Sequence, residues 1–193
     1  MINKRKDLMR LVHRVKKPRV VEIGSYVGNF AEELLKSHDT LHLTMVDAWL
    51  PETVNEDSVS EKHQTKHSAE GAEDMYESVK KRFAPFGSRV EIVREYSPDA
   101  AKFFREATFD LVYIDACHQF KPVRDDIRGW WPTLKVGGWM TGHDYNNRGA
   151  KRVKKAVDSV FGESNIRSTT ADRPGSWYIQ KTEQMEVFPH GQR

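Results

Sequence analysis

The sequence predicts an α/β protein: a doubly wound, mostly parallel sheet of seven strands, closed by a C-terminal antiparallel hairpin strand. Three observations predict it. Apolar strand-like runs alternate with helical patterns through five units, the arrangement of a parallel sheet with helices on both faces. The first run, Val20-Val21-Glu22-Ile23, ends in Gly24 and Gly28, whose missing Cβ atoms let a buried strand turn sharply and let a ligand approach the main chain. Two further strand candidates, about residues 165 to 170 and 176 to 181, flank the turn-forming Asp172-Arg173-Pro174-Gly175.

Taken in order, Leu8, Leu11, Val12 and Val15 fall at i, i+3, i+4 and i+7 and predict an amphipathic helix within residues 1–17, stopping before Pro18. Strand one covers about residues 19 to 24, and Phe30, Ala31, Leu34 and Leu35 give the next helix its buried stripe. Strand two, Leu41 to Val46, ends in Asp47. Periodicity then disappears through residue 68, and an irregular stretch of that length inside a compact domain is read as a functional loop, here a substrate lid over 48–68. Ala72, Met75, Tyr76, Val79 and Phe83 mark a helix closed by Pro85 and Gly87, and Val90 to Val93 is strand three. Tyr96-Ser97-Pro98-Asp99 opens a helix with Pro in its first turn.

Phe109 to Ile114 is strand four, ending in Asp115, and Val123, Ile127 and Trp130 line the helix after it. Gly137-Gly138 turns into strand five, Trp139 to Gly142, which ends at His143-Asp144. Ala150, Val153, Val157, Val160 and Phe161 then mark a helix. Residues 184–193 lack periodicity and read as a tail.

Composition bounds the function classes. The 193 residues suffice for one domain, and 38% hydrophobic with 31% charged side chains describes a soluble globular chain with no run long enough to span a membrane. The basic first segment has no apolar signal core after it, and the lone Cys117 suggests a reducing compartment, so a cytoplasmic location is expected. A net charge of +3 is too slight to argue for nucleic acid, although Lys and Arg crowd residues 4–19 and 151–155. Both clusters read first as solvated helix faces.

In a parallel sheet, ligands sit beyond the carboxyl ends of the strands at the switch point. The strand ends here read Glu22 to Gly28, Asp47, Tyr96-Ser97, Asp115 to His118, and His143-Asp144. The spacing E-x-G-x-x-x-G is neither G-x-G-x-x-G nor the phosphate loop, which requires a Lys that is missing here. Glu22 is the only ionisable residue in its run, so it needs a partner or a task.

With these residues in place, the chain resembles the class I S-adenosylmethionine-dependent methyltransferases over nearly its whole length. Tyr113 to His118, Asp125-Asp126-Ile127, and Gly137-Gly138 with Gly142 to Tyr145 look like the methyltransferase-24 group, which includes bacterial sugar O-methyltransferases. The resemblance implies a Rossmann-like domain over residues 1–183. It implies that Gly24, Ser25 and Gly28 contact the methionine portion of S-adenosylmethionine, with Glu22 supporting the amino group. Asp47 would accept both ribose hydroxyls, Ala48 or Trp49 would flank the adenine, and Tyr96-Ser97 would close its other edge. By the same resemblance, Asp115 would border the cofactor as well as the acceptor.

Methyl transfer asks the protein to align an oxygen and remove its proton. Asp115 and Asp144 end adjacent strands and offer oxygen ligands to Mg²⁺ or another divalent cation, which would acidify a hydroxyl. Metal-binding relatives carry Asn or Asp directly after the second acid, where this chain has Tyr145. His118 occupies the place of a general-base Lys in those relatives, with His143 the competing base, and an unperturbed histidine suits proton removal near neutrality. His63 and His67, spaced i, i+4, lack an evident third ligand. The implied activity is O-methylation of a sugar, glycan or other small hydroxylated acceptor. The alternatives are an RNA methyltransferase, from the basic clusters, and a non-catalytic S-adenosylmethionine-binding scaffold. The resemblance also implies pairing of the chain into a homo-oligomer.

Overall fold

The computed structural model describes residues 1–50, 69–146 and 151–185. The predicted lid from residue 51 onward, with His63 and His67, lies outside these, as does the tail beyond Met185. The described residues form β1 (Arg19–Ile23), α1 (Asn29–Ser37), β2 (His42–Asp47), α2 (Ala69–Phe83), β3 (Val90–Arg94), α3 (Ser97–Ala100), β4 (Phe109–Ile114), α4 (Phe120–Trp130), β5 (Leu134–Gly142), α5 (Arg152–Phe161), β6 (Arg167–Ser168) and β7 (Trp177–Gln180). Their strands make one seven-stranded sheet in the order β3-β2-β1-β4-β5-β7-β6. The first five are parallel, while β7 runs antiparallel to both β5 and β6.

The order reverses between β1 and β4. From β1 the chain works outward to β3, then returns to the other side of β1, so the connections leave a crevice above these two strand ends. Ladder-like bonds run on past them: Gly24 N–H donates to Val46 at 2.8 Å, Asp115 N–H to Ile23 at 2.8 Å, and His143 N–H to Ile114 at 3.1 Å. The ends of β2, β1, β4 and β5 are thereby fixed against one another.

Period-two alternation sorts the strand side chains onto two faces. Val21, Ile23, Val112 and Ile114 face a core completed by α3, α4 and α5, with Ile127, Trp130 and Val157 fully buried. Val20, Leu111 and Tyr113 face the other core, completed by Leu8, Met9 and Val12, by Phe30, Leu34 and Leu35 of α1, and by Val79 and Phe83 of α2. Burial of each such side chain contributes on the order of 1.5–3 kcal/mol. Glu22 shares the face of Val20, and Asp115 that of Tyr113.

Three elements differ from expectation. The N-terminal segment is a 3-10 helix, Arg5–Leu11, followed by turns, where a longer amphipathic helix was expected. Lys6, Arg10 and Arg14 repel at i, i+4, while Asp7 starts the element by accepting the N–H groups of Asn3 and Lys4 at 3.0 Å each. Its apolar residues still pack as the stripe predicted. β5 begins at Leu134, ahead of the glycine pair, because Gly137 at φ 82° bends the strand without ending it; Gly137 and Lys181 stay bonded at 2.8 Å. The helix opened by Ser97 is one short turn continued by a 3-10 turn, Ala101–Phe103.

Candidate active site

The crevice begins with the glycine loop after β1. Gly24 and Gly28 both have left-handed backbone, φ 83° and 81°. A Cβ on Gly24 would stand 2.3 Å from the Asp115 carbonyl oxygen, and one on Gly28 would stand 2.3 Å from the Phe83 ring. The two glycines therefore bring the loop hard against β4 and α2. From α2, Arg82 clamps the loop by donating to the Val27 carbonyl at 2.7 Å while pairing with Glu32 at 2.6 Å.

Glu22 lies under this loop at 3% exposure, and its Oε2 has no hydrogen-bond partner. Burial pushes its carboxyl up from 4.5 to about 8, so the free protein holds it protonated at neutral pH. A carboxyl in that condition is poised to receive a cationic donor. Ser25, also buried, bonds through its hydroxyl to the Glu22 carbonyl at 3.3 Å.

Asp47 closes β2. Its Oδ2 accepts the Tyr26 N–H at 2.8 Å and its Oδ1 the Trp49 N–H at 3.0 Å, which fixes the carboxylate while each oxygen keeps a lone pair for another donor. Trp49 is buried in the α1 and α2 core, its indole N–H donating to Tyr26 at 2.8 Å and its ring 5.2 Å from Tyr76. It braces the loop that Asp47 also holds. Ala48 is buried beside it, and Tyr96 is exposed at the end of β3. The Ser97 hydroxyl accepts the Trp130 indole N–H at 2.9 Å and bonds Asp126, whose carboxyl burial raises to about 7.

The ends of β4 and β5 bring four titratable side chains together. His118 Nε2 lies 3.0 Å from Asp144 Oδ2 and 3.6 Å from Asp115 Oδ1. His143 Nδ1 lies 3.4 Å from Asp144 and 3.9 Å from Asp115. One ligand atom from each of Asp115, His118 and Asp144 falls within 4.8 Å of the others. Asp144 has φ 58°, a left-handed conformation that costs a non-glycine residue energy and concentrates at functional sites. His118 is held above its ordinary 6.5 by its contact with Asp115 and the charge of Asp144, against burial. By distance, Asp144 is the closer partner. Tyr145, at the position where metal-binding relatives carry Asn or Asp, donates its hydroxyl to Asp158 of α5 at 2.5 Å. Among the described residues, His118 is the group that could join Asp115 and Asp144 around a metal ion.

Sequence reasoning missed Arg5. Its guanidinium Nη1 lies 3.4 Å from Asp115 Oδ2 and its carbon 4.6 Å over the Phe30 ring. Tyr113 also reaches Asp115 Oδ2 from its hydroxyl, at 3.4 Å. Arg5 had been one cation within a basic run, with no local pattern to single it out. The late basic cluster is partly neutralised, since Lys154 pairs with Asp158 at 2.5 Å and Glu163 at 2.8 Å. No described helix is long and apolar enough to cross a membrane.

Solved structures share this architecture. The O-methyltransferase NovP superposes with a TM-score of 0.62 at 19% identity, over 92% of this chain and 80% of that one. The calicheamicin methyltransferase CalS11 gives 0.65 at 15% identity, over 91% and 76%. The SAH-bound methyltransferase PaMTH1 of Podospora anserina gives 0.64 at 15%, over 92% and 78%. At these identities the likeness is one of fold. Among curated proteins, the uncharacterized protein R132 of Acanthamoeba polyphaga mimivirus is 30% identical over 95 residues, 45% of this chain and 43% of that one. A family model described as a methyltransferase domain matches residues 21–145, which run from β1 past the Asp115, His118 and Asp144 cluster. The chain belongs to the methyltransferase-24 family of class I S-adenosylmethionine-dependent methyltransferases.

Proposed function

We propose that the chain is an O-methyltransferase that moves a methyl group from S-adenosylmethionine to a hydroxyl of a sugar, glycan or other small hydroxylated acceptor. The observation that carries this reading is the cluster of Asp115, His118, His143 and Asp144 beside the unpartnered Glu22 oxygen. The crevice fits the cofactor by its donor set: a buried acid for an ammonium, and a fixed carboxylate at Asp47 for a vicinal diol. Glu22, Ser25 and the loop from Gly24 to Gly28 would hold the methionine end, and Asp47, with Ala48, Trp49, Tyr96 and Ser97 around it, the adenosine. When bound, S-adenosylmethionine supplies a methyl group already activated on a sulfonium.

The chain's own part is to place an oxygen and take its proton. His118 is the base: its Nε2–H donates toward Asp144 and Asp115, so Nδ1 is the nitrogen that takes the proton, and the two acids stabilise the imidazolium that forms. Two carboxylates and an imidazole also suit a divalent cation, which would acidify and orient an acceptor hydroxyl. A cation on Nε2 would leave the ring proton on Nδ1, so the same histidine could not then be the base. With a cation on His118 Nε2, proton removal passes to His143, which contacts the same two acids.

A sugar acceptor draws support from CalS11, whose apo form is described as a TDP-rhamnose 3′-O-methyltransferase. The test is transfer of labelled methyl from S-adenosylmethionine to a panel of sugars, nucleotide sugars and diphenols, with and without Mg²⁺ or a chelator. His118→Ala should abolish most turnover and leave S-adenosylhomocysteine affinity within about twofold. Retained turnover in that variant would remove His118 from the chemistry, and transfer only to polynucleotides would replace the acceptor class.

A further inference from the structure

We propose that Arg5 anchors the α-carboxylate of the cofactor, and so lets the site distinguish S-adenosylmethionine from a donor lacking that group. The inference rests on the cofactor reading above. It begins with charge: Asp47, Asp115 and Asp144 stand around the crevice beside the Glu22 carboxyl, and Arg5 brings a permanent cation into it, 3.4 Å from Asp115. The amino-acid end of the cofactor carries an ammonium and a carboxylate on one carbon. A cation that meets the carboxylate must therefore stand beside the acid that meets the ammonium.

Arg5 satisfies that condition. Glu22 and Asp115 lie on the sheet face covered by the N-terminal 3-10 helix, and the charge of Arg5 acts on Glu22, whose Oε2 is buried without a partner. The grip of Arg5 on Asp115 is loose, 3.4 Å where charge-assisted bonds run to about 2.7–2.9 Å. A guanidinium has five N–H donors in a fork that matches a carboxylate, so donors remain for a second partner.

The residue is also braced from its other sides. Its guanidinium sits over Phe30, and its backbone N–H donates to Asp172. Two residues earlier, the Asn3 carbonyl accepts the N–H groups of Thr170 and Ala171 at 3.2 and 2.9 Å. Residues 3–5 are thus tied to the β6–β7 turn before any ligand arrives, which lowers the entropy cost of binding. This accounts for a cationic residue being drawn out of a basic surface run into an acidic crevice.

The experiment is calorimetric titration of S-adenosylhomocysteine, and of its analogue lacking only the carboxylate, into the wild type, Arg5→Ala and Arg5→Lys, with thermal unfolding of each protein. In the wild type the carboxylate should be worth at least about tenfold in affinity. Arg5→Ala should weaken S-adenosylhomocysteine about 10- to 100-fold, the span of a hydrogen bond to a charged group, while leaving the analogue within about twofold. Arg5→Lys should fall between. Equal weakening of both ligands would make Arg5 a structural brace and overturn the assignment, as would unchanged S-adenosylhomocysteine affinity with a raised acceptor KM. If Arg5→Ala fails to fold, equal wild-type affinity for the two ligands still refutes it. A wild type that binds neither ligand sinks the cofactor reading itself, a result distinct from the failure of Arg5 alone.

Discussion

Replacing Glu22 with Gln should change stability and cofactor binding in opposite directions. The carboxyl is buried at 3% exposure and pushed from 4.5 to about 8. Between those values the folded chain holds a proton that the unfolded chain has released, so stability falls as pH rises through that window. The full effect is on the order of 5 kcal/mol, reached above pH 8. Glu22→Gln keeps the shape and removes the charge, so the variant should be the more stable free protein at pH 8.5 and nearly equal to wild type at pH 5. Urea unfolding at the two pH values reads this directly. Holding an ammonium requires the ionised carboxylate, so the wild type at pH 7 should release close to one proton on binding S-adenosylhomocysteine. Titration in buffers of different ionisation enthalpy counts that proton, and the count in Glu22→Gln should be lower by about 0.9. Equal proton release in both proteins, with binding intact, would refute the role given to Glu22.

Other outcomes follow from the same geometry. Gly24→Ala places a methyl 2.3 Å from the Asp115 carbonyl in a left-handed residue, so urea unfolding should show a loss of several kcal/mol or no folded protein. Trp130→Phe removes the hydrogen bond to Ser97 and should cost about 1–3 kcal/mol, with weaker cofactor binding if Ser97 then reorients. Asp126→Asn removes a carboxyl raised to about 7, flattening the decline of stability from about pH 4 to 7; an unchanged pH profile would contradict its burial as a proton-holding acid.

The fold was legible because its signals are local. Phe109 to Ile114 is apolar apart from Asp110 and bounded by polar residues, and the structure gives β4 those limits. Phe30, Ala31, Leu34 and Leu35 are all buried on α1, as their spacing required. The strand-end acids were equally visible, since a parallel sheet places successive strand ends at one edge. What sequence could not supply was contact between distant segments. Arg5 meets Asp115 across 110 positions, and nothing in the basic run around it distinguishes it from Lys4 or Lys6. Asp144 and His118 meet at 3.0 Å from the ends of two strands, and the left-handed backbone at Asp144, which Asp adopts more readily than most residues, is not marked by a glycine. Gly24 and Gly28 signal a sharp turn and a close approach to the main chain, but not that the space their Cβ atoms would fill belongs to Asp115 and Phe83.

The proposed cofactor site places Asp47 as the carboxylate that receives the ribose. Calorimetric titration of S-adenosylhomocysteine into the wild type and Asp47→Ala, with and without Mg²⁺, tests it most directly. Saturable binding in the wild type, lost by a hundredfold or more in a variant that still unfolds cooperatively, is the predicted result, because two hydrogen bonds to one charged group would disappear together. Binding that survives the substitution unchanged, or a wild type that does not bind, would contradict the account.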